Sequence, residues 1–233
     1  MKIGILSAMT KEHQQLTALL TGHHAEQEGR YAFTCGHLGK NELILLQCGI
    51  GKVNAAVGTA TLIRRYAPDC IISTGCAGGI DESLKVMDVV VSTEASYHDV
   101  SIPGEEHGQV QGLPARFRAE QELVETAIAM GARAGLICSG DQFISDRAQL
   151  EAIKTNFPEA LAVDMESAAI AQTCFLLQTP FVSFRILSDT PGADEHIQQY
   201  LNFWDEMADR SFDTTRNFLA NLPEQFSQLH FAD

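Results

Sequence analysis

Short apolar runs rich in β-branched residues alternate with helical patterns along most of this 233-residue chain, and no other feature constrains its fold as strongly. Strands are predicted over the runs Lys2–Ser7, Tyr31–Cys35, Glu42–Gln47, Asp69–Thr74, Asp88–Ser92, Leu136–Ser139, Leu161–Asp164 and Phe181–Ser188. Helices are predicted over Lys11–Leu20, Asn54–Tyr66 and Glu166–Leu177. The length suits one large domain, so residues 1–233 are predicted to form a single-domain three-layer α/β/α sandwich with a central mixed twisted sheet.

The C-terminal part carries the clearest helical periodicity. Apolar positions step by three or four, which predicts one helix that Pro223 ends; the positions are Ile197, Leu201, Trp204, Ala208, Phe212, Thr215, Leu219 and Leu222. In α/β sheets, ligands bind beyond the carboxyl ends of the strands. The polar residues that end each apolar run are therefore the first candidates for a functional site.

Charge and composition exclude several function classes. Lys and Arg number 16 against 30 Asp and Glu, a formal net charge of −14, which disfavours binding to nucleic acids or anionic membranes. No apolar run reaches the roughly 18 residues of a membrane span, and the N-terminus lacks the plan of a signal peptide. The six cysteines form no C-x-x-C pair and the histidines no H-x-x-x-H motif, so we expect a cytoplasmic protein with reduced thiols and no metal site.

Two glycine clusters and four carboxylates occupy suggestive positions. The clusters, Cys48-Gly-Ile-Gly-Lys52 and Thr74-Gly-Cys-Ala-Gly-Gly79, match neither a P-loop nor a dinucleotide fingerprint. Glu12 begins the first helix, Asp164 and Glu166 bracket Met165 at a strand–helix junction, and Asp189 ends an apolar run. Each carboxylate could simply cap a helix or lie in a solvated turn, and Arg185 could simply pair with one of them. Their shared position at the expected sheet edge favours a functional site.

Six motifs in order carry a family resemblance. They are Met1-Lys-Ile-Gly-Ile5 with Ala8-Met9 and Glu12, Gly49-Ile-Gly-Lys-Val53, Thr74-Gly-Cys-Ala-Gly-Gly79, Ser139-Gly-Asp-Gln-Phe-Ile144, Val163-Asp-Met-Glu166 and Arg185-Ile-Leu-Ser-Asp189. From Met1 to about Asp189 the chain resembles the 5′-methylthioadenosine/S-adenosylhomocysteine nucleosidases of the purine nucleoside phosphorylase superfamily. The resemblance implies a nucleoside phosphorylase-like fold and a cytoplasmic homodimer without metal or organic cofactor. It also implies hydrolysis of 5′-thio-substituted adenosines to adenine and a 5-thioribose.

The resemblance also assigns roles to individual residues. It implies that Asp189 is the general acid at adenine N7 and that Glu12 activates the attacking water. The other substrate-binding positions that it implies are Met9, Ile50, Cys76, Ala77, Gly78, Phe143, Ile144, Asp164, Met165, Glu166, Arg185 and Ser188. Among these, Glu166 and Met165 are expected to hold the ribose hydroxyls and Phe143 to stack on the base. The Ile144 backbone is expected to read the base edge, and Ser188 and Arg185 to support Asp189.

Some positions depart from the family pattern. Cys76 stands where the family usually has serine, and Asp164 where it usually has glutamate. The loop 97–107 is about two residues shorter than in related enzymes, and it has Ile102 and Pro103 where the family presents aromatic residues across the dimer. The segment 190–196 is also unusual, so the aromatic residue that closes the site could be Tyr200 or Phe203.

Two other functions remain open from the sequence. A nucleoside phosphorylase needs an arginine-rich phosphate site, but Lys11 is the one Lys or Arg between Gly4 and Glu28, and Glu12 beside it repels phosphate. A nucleoside-binding protein without turnover is suggested by Cys76 and Asp164. Hydrolysis of another adenosine derivative, such as 5′-deoxyadenosine or 6-amino-6-deoxyfutalosine, also fits.

Overall fold

The computed structural model describes residues 1–190, 196–204 and 208–227. Ten strands are described: β1 Lys2–Ser7, β2 Thr21–Glu28, β3 Tyr31–Leu38, β4 Asn41–Gln47, β5 Cys70–Gly79, β6 Val89–Tyr97, β7 Phe117–Arg118, β8 Arg133–Ser139, β9 Ala160–Asp164 and β10 Phe181–Asp189. The described helices are α1 Thr10–Thr17, α2 Lys52–Tyr66, α3 Gln121–Ala129, α4 Arg147–Asn156, α5 Ser167–Leu176, α6 His196–Asn202 and α7 Ala208–Ala220. No helix within these ranges is long and apolar enough to cross a bilayer.

Alternation along the strands builds the three layers. In β1, Ile3 and Ile5 pack with Leu16 of α1 and with α3 and α7 on one face of the sheet. Leu6 points to the other face, where α2 and α5 pack. Gly4 shares that second face, and a Cβ there would lie 2.5 Å from a methyl carbon of Leu62 in α2. The predicted α/β/α sandwich is confirmed, and glycine lets α2 approach β1 closely.

The sheet is mixed, as predicted, and part of it closes on itself. Strand β1 lies between β4 and β5, parallel to both, and β3 and β2 extend the sheet in antiparallel order. On the other side β10 pairs with both β5 and β6, while β8 and β9 link β6 back to β5. These five strands form a closed ring. The closure was not predicted, because it depends on pairings between strands that are distant in sequence.

Several features of the chain differ from the prediction, and helices α3 and α4 were not predicted. In the C-terminal part, α6 and α7 are described as two elements, and residues 205–207 between them lie outside the described part. The predicted face is not shared, because Ile197 and Leu201 are exposed whereas Leu219 and Leu222 are buried. Strand β2 was also missed, since its residues are nearly all exposed and it lies at the sheet edge, held by backbone pairing to β3.

Candidate active site

The carboxyl ends of β1, β5, β9 and β10 converge on one cleft. Of the predicted site residues, those that line it are Met9, Glu12, Ile50, Cys76, Ala77, Gly78, Phe143, Asp164, Met165, Glu166, Arg185, Ser188 and Asp189. Ile144 instead lines a smaller adjoining cavity together with Phe143 and Met165. Ser7, Cys48, Ser73 and Gly75 also line the cleft and were not predicted. Of these, Cys48 and Gly75 carried a signal, each as part of a glycine cluster.

Glu12 is fixed by backbone donors at one wall of the cleft. Strand β1 ends at Ser7 and α1 begins at Thr10, so Glu12 lies in the first turn of the helix. Its carboxylate accepts N–H bonds from Ala8 at 3.2 Å, Met9 at 3.0 Å and Cys76 at 3.2 Å. Burial nevertheless raises the pKa of Glu12 above its ordinary value, because the surroundings disfavour the charge more than these bonds favour it.

Gly75 makes room for the Glu12 carboxylate. A Cβ at position 75 would lie 2.6 Å from Oε1 of Glu12, far closer than any ordinary contact, and the φ of Gly75 is +153°. Glycine therefore lets the end of β5 pass directly beneath the carboxylate. The position of Glu12 depends on this close approach as well as on its three backbone donors.

Asp189 ends β10 and is 3% exposed. The hydroxyl of Ser188 donates a hydrogen bond of 2.7 Å to Oδ1 of Asp189. Backbone pairing between β10 and β5 sets Asp189 opposite Gly78. Ser188 is thus in direct hydrogen-bond contact with Asp189.

Glu166 lies at the N-terminus of α5 and reaches the start of α2. The backbone N–H of Gly51 donates to its Oε1 at 2.9 Å. Burial and the neighbouring Asp164 carboxylate raise the pKa of Glu166 to about 7. This group therefore changes charge near neutral pH.

Asp164 and Arg185 form a buried ion pair in the cleft wall. Arg185 Nε donates to Oδ2 of Asp164 at 2.8 Å, and its Nη2 donates to the hydroxyl of Ser73 at 2.7 Å. Asp164 also accepts hydroxyl hydrogen bonds from Ser139, at 2.5 Å, and from Ser167. Arg185 thus forms an ion pair with a carboxylate, which is the simpler of the two interpretations given to it from the sequence. Both oxygens of the Asp164 carboxylate accept hydrogen bonds from protein donors.

Two aromatic residues face each other across the cleft mouth. Phe143 is 48% exposed, and the ring of Tyr200 meets it edge to face with 5.4 Å between centroids. The Tyr200 hydroxyl lies 3.9 Å from Sδ of Met9. Phe203 is buried in the core formed with α1, α3 and α7. Of the two sequence candidates, Tyr200 lines the cleft.

Two of the departures from the family pattern do not contribute described residues to the cleft. Residues 191–195 of the unusual segment lie outside the described part of the chain. Among the described residues that line the cleft, none comes from the loop 97–107, which contains Ile102 and Pro103.

Comparison with known proteins places this cleft in a family. A family model described as "Phosphorylase superfamily" matches residues 2–220. A 5′-methylthioadenosine/S-adenosylhomocysteine nucleosidase of Chromohalobacter salexigens is 43% identical over 205 residues, which cover 84% of this chain and 87% of the relative. The chain is a member of this nucleosidase family.

Solved structures of two other members of the nucleosidase family share the fold. The S-adenosylhomocysteine nucleosidase of Streptococcus pyogenes, in complex with 5-methylthiotubericidin, is 36% identical with a TM-score of 0.90, covering 96% of this chain and 98% of that one. The 5′-methylthioadenosine/S-adenosylhomocysteine nucleosidase of Neisseria meningitidis, in complex with methylthio-immucillin-A, is 40% identical with a TM-score of 0.88, covering 95% and 99%.

Proposed function

We propose that the protein hydrolyses the N-glycosidic bond of 5′-methylthioadenosine and S-adenosylhomocysteine, releasing adenine and a 5-thioribose. The observation that carries the proposal is the Glu12 carboxylate in the cleft wall, which accepts hydrogen bonds from three backbone N–H donors. The similarity to nucleosidases over nearly the whole chain supports the same activity.

Glu12 favours water over phosphate as the nucleophile. Backbone N–H groups at a helix N-terminus are ordinary donors for a phosphate. Here they already hold a carboxylate, whose negative charge repels a second anion. A carboxylate whose pKa is raised by burial can accept a proton from water, and it does so best when its pKa approaches the working pH.

Asp189 is proposed as the acid on the opposite side of the glycosidic bond. As the bond breaks, negative charge develops on the departing base and positive charge on the sugar. A protonated Asp189 donates to adenine N7 and neutralises the leaving group, and Ser188 orients its carboxyl group through the 2.7 Å hydrogen bond. General acid catalysis of this kind contributes about 10²–10⁴-fold.

The remaining cleft residues are proposed to bind the nucleoside. Glu166 and Met165 hold the ribose hydroxyls, which places negative charge beside the developing cation. Phe143 stacks on the base, Tyr200 closes the mouth over it, and the Ile144 backbone reads the base edge. Asp164 and Arg185 contribute to the cleft wall as an ion pair. The other predicted positions line the cleft themselves: Met9, Ile50, Cys76, Ala77 and Gly78.

We further propose a single nucleosidase domain that acts as a homodimer in the cytoplasm. Ile50 at the cleft rim is 53% exposed, and Val53 and Val57 on α2 are 74% and 49% exposed. This apolar strip is continuous with the cleft, and a second copy of the chain would cover both. The six free thiols fit a reducing compartment.

The test measures adenine release from 5′-methylthioadenosine by the purified protein in phosphate-free buffer. We expect multiple turnovers, and we expect Asp189→Asn to lower kcat by about 10²–10⁴-fold while its melting temperature stays near that of the wild type. Release that requires added phosphate would instead indicate a phosphorylase. Tight binding of adenosine analogues without product would indicate a binding protein. Near-wild-type kcat in the Asp189→Asn variant would contradict the assigned acid.

A further inference from the structure

A group of potential metal ligands lies outside the cleft, at the edge of the sheet. His24 and Glu26 of β2 and Cys35 of β3 each offer one ligand atom, and these atoms all lie within 4.8 Å of one another. Within the described residues this is the one group of three or more such side chains that could hold an ion. Sequence spacing gave no sign of it, because two strands contribute the ligands.

Strand pairing creates the group. His24 is the direct cross-strand partner of Cys35, and Glu26 lies two residues further along β2 on the same face. Gly36 points to the opposite face, where a Cβ would lie 3.0 Å from the Cβ of His23. His23 therefore points away from the cluster although it is adjacent in sequence. The register between β2 and β3 shifts just before His24, so this irregularity helps to set the face on which His24 lies.

The Glu26 carboxylate is already oriented as a ligand. Its Oε2 accepts hydrogen bonds from Arg65 Nη2 at 2.8 Å and from the Tyr66 hydroxyl at 2.9 Å. Its Oε1 faces the Nε2 of His24 at 3.2 Å. The bonds from Arg65 and Tyr66 hold this carboxylate in place. This is the outer-shell arrangement that fixes carboxylate ligands in metal sites.

Local charge also suits a divalent cation. Arg65 contributes one positive charge but pairs with both Glu26 and Glu28. These three side chains together carry a net charge of −1. Ionisation of the Cys35 thiol would make this −2. The side chain of His24 is 62% exposed, which gives an ion a direct entry path, whereas Cys35 is 5% exposed and anchors the site from within.

We propose that His24, Glu26 and Cys35 bind one zinc-type divalent cation, with water as the fourth ligand. A thiolate, an imidazole and a carboxylate form a donor set that suits Zn²⁺ or Co²⁺ and disfavours Mg²⁺ and Ca²⁺, which prefer all-oxygen sites. On binding, the Cys35 S–H bond breaks, its proton passes to solvent, and the thiolate electron pair forms the bond to the metal. No oxidation or reduction takes place. The bound ion joins the exposed edge strand β2 to β3.

The experiment uses tag-free full-length protein and Co²⁺ as a spectroscopic probe. We expect one equivalent of Co²⁺ to give near-ultraviolet thiolate charge-transfer absorption and the strong visible bands of a tetrahedral site, both removed by competing Zn²⁺. Cys35→Ser and His24→Gln should abolish the charge-transfer band. His23→Gln, the matched control on the opposite face of the same strand, should retain it.

A thermal melt separates binding from folding. Wild-type protein and the His23→Gln control should gain melting temperature with increasing Zn²⁺, and the Cys35→Ser variant should not. A wild-type protein without a charge-transfer band, or a band that survives in Cys35→Ser or His24→Gln, would overturn the proposal. Adenine release is not the readout here, so failure of the proposed nucleosidase activity leaves this test unchanged.

Discussion

Replacing Glu166 with glutamine should stabilise the protein at alkaline pH while impairing its activity. The carboxylate is 8% exposed, lies beside Asp164, and has a pKa of about 7 in the folded protein against 4.5 for an ordinary glutamate. Between these values the folded state binds more protons than the unfolded chain. The free energy of unfolding therefore falls as pH rises through this window. Glutamine keeps the hydrogen bond from Gly51 through its carbonyl oxygen and removes the charge.

The magnitude follows from the two pKa values. At 1.36 kcal/mol per unit, a rise from 4.5 to about 7 destabilises the ionised wild type by about 3 kcal/mol. We expect the Glu166→Gln variant to exceed the wild type by about that amount at pH 8 and by less than about 1 kcal/mol at pH 5. Its kcat/KM should fall, because the neutral amide no longer faces the developing sugar cation.

Urea denaturation of wild type and variant at one protein concentration, at pH 5 and pH 8, measures the difference. The control is Glu151→Gln on α4, where the carboxylate is exposed and the variant should match the wild type at both pH values. The reasoning is refuted if Glu166→Gln is less stable than wild type at pH 8, or if its advantage is the same at both pH values.

Two further substitutions test the supports of the site. Gly75→Ala places a Cβ 2.6 Å from Oε1 of Glu12, so the carboxylate must move and kcat should fall by about 10²-fold; an unchanged kcat for adenine release would contradict the assigned role of Glu12. Asp164→Asn leaves the Arg185 guanidinium buried without its counterion and should lower the free energy of unfolding by about 3–5 kcal/mol in urea. A loss below about 1 kcal/mol would show that the ion pair is not a main support of the cleft wall.

The sequence predicted several elements that bury an apolar pattern, but helices α3 and α4, which also bury apolar residues, were not predicted. Strand β1 has the predicted bounds because its residues are buried, and α2 begins two residues before its predicted start. Strand β2 was not predicted from the sequence, because it is held by backbone pairing with β3 and not by apolar side chains. The closed ring of strands was not predicted for a different reason. The ring depends on the pairing of β10 with both β5 and β6. Pairing between strands that are distant in the chain leaves no local pattern in the amino-acid sequence.

The residues that line the cleft were largely predictable, because the carboxyl ends of several strands meet there. Glu12 and Asp189 are 177 positions apart, yet both follow strands whose carboxyl ends open into the cleft. Side-chain orientation was not predictable to the same degree. Tyr200 and Phe203 are three residues apart, and only the packing of α6 and of the residue that follows it decides that Tyr200 lines the cleft while Phe203 is buried in the core. The use of Asp164 as a counterion likewise depends on Arg185, which lies on a different strand.

The charge balance of the cleft explains why this arrangement suits a cationic transition state. Four carboxylates line it, those of Glu12, Asp164, Glu166 and Asp189, and among the described lining residues Arg185 is the one Lys or Arg. Arg185 pairs with Asp164, and burial raises the pKa of both Glu12 and Glu166. An ionised Glu166 attracts the positive charge of an oxocarbenium-like sugar, a charge that the neutral nucleoside lacks. We therefore propose that this carboxylate stabilises the transition state more than the bound substrate, which is the condition for a faster chemical step.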